Sequence, residues 1–226
     1  MKDSAQQMDT IISMQTANKQ AVNNEDAPSA TITNSGLEAM KKMYESNIIS
    51  EGMDSVIAIQ SGIMYTRALG NMGHCIEAER LVTKLSTISR RVNGPDHKIT
   101  IDAVELLEKC KERYVIVLPE NEPFQALQYE NDGEICVVQG PITKPRQIED
   151  ERVHRVVNNR ILPAGGCPVI CHGLVSAPHL NGELGEVRDM KEDGTGIRLG
   201  VQFEKKGVKS ALVKPENLRI AFELPT

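Results

Sequence analysis

Tryptophan is missing from this 226-residue chain, and aromatic residues as a whole make up 3% of it. Ring packing is thereby excluded as the main source of core volume. The 40% of hydrophobic residues must fill any interior with aliphatic side chains and methionine. Long apolar runs are lacking too, and a helix needs roughly 18 consecutive apolar residues to cross a bilayer, so no membrane span is expected. There is no basic excess either. A formal net charge of -5 and a pI near 5.6 argue against a general polyanion binder, and the charges are mixed rather than blocked. The first residues show no apolar core of a secretory leader. Five cysteines (Cys75, Cys110, Cys136, Cys167, Cys171) form an odd set in a chain long enough to do without staples. Reduced thiols in a reducing cytosol or nucleus are the expectation, with the cytoplasm as the first choice.

Along the chain, residues 1–34 are rich in Gln, Asn, Asp, Ser and Thr, with one small apolar cluster at Met8, Ile11, Ile12 and Met14. That surface is too small to offset the entropy of ordering, so the segment reads as disordered. Ser35-Gly36-Leu37-Glu38 has the spacing of a capping box, and Leu37, Met40, Tyr44 and Ile48 follow at helical period up to Gly52. A second helix is expected from Asp54, with Val56, Ile57, Ile63, Met64 and Ala68 as its apolar stripe. A third is expected over Cys75–Val92, and a fourth over His97–Arg113 after the stop Asn93-Gly94-Pro95-Asp96. From Tyr114 the pattern turns to β. Phe124–Tyr129 and Glu134–Val138 flank the hairpin turn Glu130-Asn131-Asp132-Gly133. Residues 139–152 read as loop, and Val153–Leu162 as either strand or short helix. Pro163-Ala164-Gly165-Gly166 reads as a linker. Five short strands follow, of which Ile197–Glu204 alternates apolar and polar residues strictly. Their tight spacing suggests a small closed barrel. The expected fold is thus a multi-domain α+β chain: a helical domain over 35–113, a hairpin-containing segment over 114–162, and a barrel over 167–226.

Gly73-His74-Cys75-Ile76-Glu77-Ala78-Glu79 resembles the turn and second-helix start of a tetratricopeptide repeat. Gly94-Pro95-Asp96-His97-Lys98-Ile99-Thr100 resembles the inter-repeat signature of the kinesin-light-chain subfamily of these repeats. Gly52-Met53-Asp54 lies 42 residues before Gly94-Pro95-Asp96, a period longer than the ordinary repeat and similar to that subfamily. The likeness covers residues 50–113 and implies stacked helical hairpins with a peptide-binding groove. In register, the groove positions would be Gln60, Ile63, Arg67 and Asn71, then Asp102, Glu105, Lys109 and Arg113. Leu180-Asn181-Gly182-Glu183-Leu184-Gly185-Glu186-Val187, followed by Lys214-Pro215-Glu216-Asn217-Leu218, resembles an SH3-like barrel.

The tempting chemical sites have plainer readings. Cys167-Pro168-Val169-Ile170-Cys171-His172 invites a metal or thiol reading. On a strand the two sulfurs would stand about 13 Å apart at ~3.3 Å per residue, while zinc needs both within ~2.3 Å of one ion. His74, His97, His154, His172 and His179 show no spacing that makes a nucleophilic dyad with a cysteine, and no nucleophile elbow accompanies them. Gly165-Gly166 and Gly182-x-x-Gly185 lack the Lys-Ser/Thr of a phosphate loop. From Cys167 to Thr226 eight Lys/Arg balance eight Asp/Glu, which leaves nucleic-acid binding nothing to run on. No catalytic residue, metal or cofactor is assigned. The expected function is a non-catalytic adaptor or scaffold that takes a protein or peptide partner in the helical groove. The alternative is a regulatory or catalytic β-domain acting through Cys167, Cys171 and His172.

Overall fold

The computed structural model describes residues 33–118, 122–141, 153–194, 196–205 and 207–224. The expectation of disorder over 1–32 and most of the expected 139–152 loop lie outside these residues. Asn34 begins the first helix, and Thr33 is its cap. Thr33 Oγ1 accepts a hydrogen bond from the Gly36 N–H at 3.2 Å and caps α1 (Asn34–Glu51). The expected Ser35–Glu38 capping box gives way to it, because a good cap residue two positions earlier satisfies the same orphan N–H groups. Gly52, at φ +85, stops the helix. Ser55, not Asp54, caps α2 (Val56–Asn71), its Oγ accepting from the Ala58 N–H. Asp54 instead receives both hydrogen bonds of Arg91 on α3 (Cys75–Asn93), an exposed pair worth little. Gly94 repeats the Gly52 conformation at φ +85, and α4 spans Lys98–Lys111.

The described residues form two compact units, divided between Lys111 and Glu112. In the helical unit α2 packs against α1, α3 and α4. Ile59, Ile63, Leu69, Val82, Leu85, Ile99 and Leu106 fill the core, with Tyr44 and Tyr65 as its only stacked rings among the described residues. Gly62 permits the closest approach: a Cβ there would lie 2.8 Å from Leu85 Cδ1 and 2.9 Å from Tyr44 Cε2. Inside the unit, the Ser89 and Thr100 hydroxyls hydrogen-bond at 2.8 Å and tie α3 to α4.

The expectation of stacked tetratricopeptide-type hairpins is corrected. Among the described residues, four helices of 18, 16, 19 and 14 residues close on one core, after which the chain runs into β-structure, and no repeat array is formed. The glycines that carry the 42-residue spacing are two similar helix stops, and a solenoid needs about three stacked repeats to bury its faces.

In the β unit, one sheet joins β1 (Arg113–Val117), β2 (Glu122–Glu130), β3 (Ile135–Gln139), β4 (Val153–Val157) and β5 (Ile161–Pro163) in the order β4-β3-β2-β1-β5. The hairpin turn is where the sequence put it, with Asn131 at φ +50 and Gly133 at φ +88. Val153–Leu162 proves to be strand, a single 3₁₀ turn over Asn158–Arg160, and strand again. The second sheet joins β6 (Pro168–Cys171), β7 (Leu184–Asp193), β8 (Gly196–Phe203), β9 (Ala211–Val213) and β10 (Leu218–Ile220) in the order β10-β6-β7-β8-β9, all antiparallel.

The expected SH3-like barrel is likewise corrected. The second sheet is open: among the described residues β9 pairs with β8 and β10 with β6, and the two edges do not join. Both edge strands are three residues long, too short to supply the staggered ladder that closure requires. The expected linker at 163–166 is a stitched segment. Pro163 pairs with Val115, the Ala164 N–H donates to Tyr114 O, and the Gly166 N–H donates to Val187 O at 2.7 Å. Proline sits there because β5 is an edge strand.

Side chains of the first sheet finish the hydrogen bonding of β10. Asn158 Nδ2 donates to Leu218 O at 3.2 Å, and the Tyr129 hydroxyl donates to Asn158 Oδ1 while accepting from the Ile220 N–H, both at 3.0 Å. Arg113 Nε donates to Ala221 O at 3.0 Å. Two variants test these packing arguments. Gly62→Ala should destabilise the helical unit, since overpacking costs about 1–3 kcal/mol against a helix-propensity gain of about 1 kcal/mol; urea unfolding followed by circular dichroism reads the balance. Tyr129→Phe should lose about 1–3 kcal/mol from unpaired buried polar groups and speed exchange of the Ile220 amide in particular.

Candidate functional site

Helix α2 is the most enclosed of the four, with Ala58, Ile59, Ser61, Gly62, Ile63, Tyr65, Thr66, Ala68 and Leu69 all buried. Against that background, Ile57, Gln60, Met64 and Arg67 stand exposed. Their spacing of three, four and three residues puts them on one face. Ile57 is 53% and Met64 48% exposed, and seven residues separate them, about 10.5 Å along the axis at ~1.5 Å per residue. Gln60 and Arg67 alternate with them, so the stripe offers two apolar contacts, an amide and a guanidinium. On α4, which packs against α2, Asp102 is half-buried and Glu105 and Lys109 are exposed on a common face, with Ile101 beside them.

Of the groove residues expected from the sequence, Gln60, Arg67, Asp102, Glu105 and Lys109 are thus at the surface to some degree. Ile63 is not: it is 6% exposed and sits in the helical core. Asn71 is half-buried at the last position of α2. Arg113 is 1% exposed and lies in β1, because the β-branched run Val115–Val117 draws the chain out of helix after Lys111. Conversely, Val56, Ile57 and Met64, taken for part of an inward stripe, face outward. Periodicity alone places an apolar residue on a face, and only the neighbouring helices decide whether that face is covered.

The cysteine-histidine run does not converge. Cys167 precedes β6 and packs with Val115, Phe124 and Ile220, whereas Cys171 ends β6 and packs in a separate cluster with Val187, Leu199 and Phe203. Among the described residues no group of His, Cys, Asp and Glu could hold a metal ion. Burial pushes the thiols of Cys136 and Cys167 up to about 12 and that of Cys171 up to about 11, which removes the thiolate needed for nucleophilic or ligand chemistry at neutral pH. His172 is half-buried and held below its ordinary range by desolvation first and the nearby Arg219 second.

No protein-family model, curated protein or solved structure matches this chain. The functional reading therefore rests on its own residues.

Thiol labelling tests the burial argument. With iodoacetamide at about pH 8, near the ordinary thiol range, half-buried Cys75 and Cys110 should be alkylated first in the native protein, and Cys136, Cys167 and Cys171 together only on unfolding. Mass spectrometry of quenched time points reads the order.

Proposed function

We propose that this chain is a non-catalytic interaction protein that docks a peptide segment of a partner on the exposed stripe of α2, with the polar face of α4 beside it. The observation that carries this reading is the half-exposure of Ile57 and Met64 on the helix that is otherwise the most buried. Apolar side chains interleaved with hydrogen-bonding groups suit a peptide that brings its own apolar anchors, and Arg67 suits an acidic residue among them. The net charge of -5 supports a protein partner over a nucleic acid. None of the five cysteines is in a disulfide, which fits a reducing compartment such as the cytoplasm. Among the described residues no helix is long and apolar enough to cross a membrane.

Panning a displayed peptide library on the full chain tests the proposal. Selected peptides should combine apolar and acidic positions, and Arg67→Ala or Met64→Ala should each weaken them by about 1–2 kcal/mol, roughly five- to thirtyfold in Kd. Cys171→Ala should leave binding unchanged. Selected peptides that bind both α2 variants as tightly as the parent would sink the assignment.

A further inference from the structure

Edge strands are where a sheet can recruit another chain, because their outward N–H and C=O groups meet no neighbour. Among the described residues the two sheets end in β4 and β5 and in β9 and β10. β5, β9 and β10 are each three residues long. β5 also carries Pro163, and main-chain groups of β10 are taken up by Tyr129 and Asn158. β4 has none of these protections. It runs Val153-His154-Arg155-Val156-Val157, with no proline or glycine and no break in its register with β3.

The ladder fixes which groups of β4 point outward. The Asn158 N–H donates to Glu134 O at 2.8 Å, in line with the β3–β4 register. Bonded and non-bonded pairs alternate along an antiparallel ladder. His154 and Val156 therefore exchange bonds with Val138 and Cys136, and the N–H and C=O groups of Val153, Arg155 and Val157 turn away from β3. Side chains divide between the same two sets. Val156 is buried in the core and His154 lies edge-on to Phe124, ring centroids 5.6 Å apart. Val153, Arg155 and Val157 share the opposite face, with the two valines 52% and 53% exposed. A charge on an edge normally repels a second strand. Here Arg155 reaches over β3 to Glu130 on β2, bonded at 2.9 and 3.1 Å, so its charge is matched within its own sheet.

We infer that two copies of this chain associate through β4, pairing antiparallel about a two-fold axis at Arg155 and joining their first sheets into one. In this register every residue of β4 finds a partner. Arg155 stands opposite its own copy and Val153 opposite the partner's Val157, and these are the positions whose main-chain groups point outward, so each gains its hydrogen bonds. The half-exposed valines become β-branched cross-strand pairs on one face. Like charges directly opposite each other destabilise a pair; the Glu130 carboxylate on each side offsets this and leaves no net charge at the axis. A second copy suits the edge better than a foreign strand, because a valine at each end of a central arginine reads alike in both directions, as two-fold pairing demands. The edge lies in the β unit and is independent of the peptide reading for α2.

Sedimentation velocity and amide hydrogen exchange on the full chain, each over a dilution series, test this together. The chain should pass from monomer to dimer as concentration rises. The amides of His154 and Val156, bonded within the sheet, should exchange slowly throughout, while those of Val153, Arg155 and Val157 should be fast in the monomer and slow in the dimer. Val157→Lys should weaken the dimer about tenfold or more, because symmetry removes two apolar pairs at once and adds charge beside Arg155. Leu212→Lys, at an exposed position of the β9 edge, should leave it unchanged. A monomer at every concentration, which would leave the edge to a foreign strand, overturns the inference. So does a dimer whose formation leaves the outward amides fast, or one that a folded Val157→Lys variant forms as tightly as the parent. Outward amides already slow in the dilute monomer would mean that another part of the chain covers the edge, and overturn it equally. If Val157→Lys does not fold, the concentration dependence of the Arg155 amide in the wild-type chain decides.

Discussion

The β unit depends on a strand that cannot complete itself. β10 is three residues long and lies at a sheet edge, so half of its main-chain groups have no strand to meet. Tyr129 and Asn158, both reaching from the first sheet, take the Ile220 N–H and the Leu218 carbonyl, and Arg113 takes the carbonyl of Ala221. Buried main-chain groups left open would cost more than these bonds gain over water. Three polar side chains therefore do what another strand would otherwise do, and they bind the two sheets into one unit. The same arrangement fixes Arg219, which stands between the two tethered residues and is turned to the other face.

A related constraint governs the helices. With few aromatic side chains, the helical core is built from Ile, Leu and Val at close interhelical distance, and Gly62 marks the narrowest point, between Leu85 and Tyr44. Packing on three sides by α1, α3 and α4 buries most of α2 and leaves one stripe uncovered. The exposed Ile57 and Met64 are thus a consequence of which neighbours the helix has. Gly200 shows another close approach, in the second sheet, where a Cβ would lie 1.6 Å from Asp189 Oδ1, opposite the irregularity between Val187 and Asp189. At each of these points glycine is required by a neighbouring side chain, which sequence patterning does not show.

The helix boundaries and most strands were legible before the fold was known. The third helix runs from Cys75 to Asn93 against an expected Cys75–Val92, and the hairpin around Asn131 and Gly133 lies where turn chemistry placed it. The errors are of two kinds. Thr33 displaced Ser35 as a cap and Arg113 moved from helix to strand, each a local signal overruled by a stronger one close by. Pro163–Gly166, which reads as a linker, is tied to Tyr114 and Val187, partners distant in sequence. The two larger corrections are of the second kind: a 42-residue echo cannot say whether hairpins stack, and strand count cannot say whether a sheet closes.

Of the candidate site, the polar members Gln60, Arg67, Glu105 and Lys109 were readable, while the apolar pair beside them was not. What the sequence determined by itself was the change from helical to strand periodicity near residue 113, together with the glycine stops, because these depend on the preferences of neighbouring residues along the chain. Tertiary structure alone decided which faces are covered and whether the second sheet closes. Those properties belong to pairs of atoms brought together from distant positions, and no local pattern encodes the distance between them.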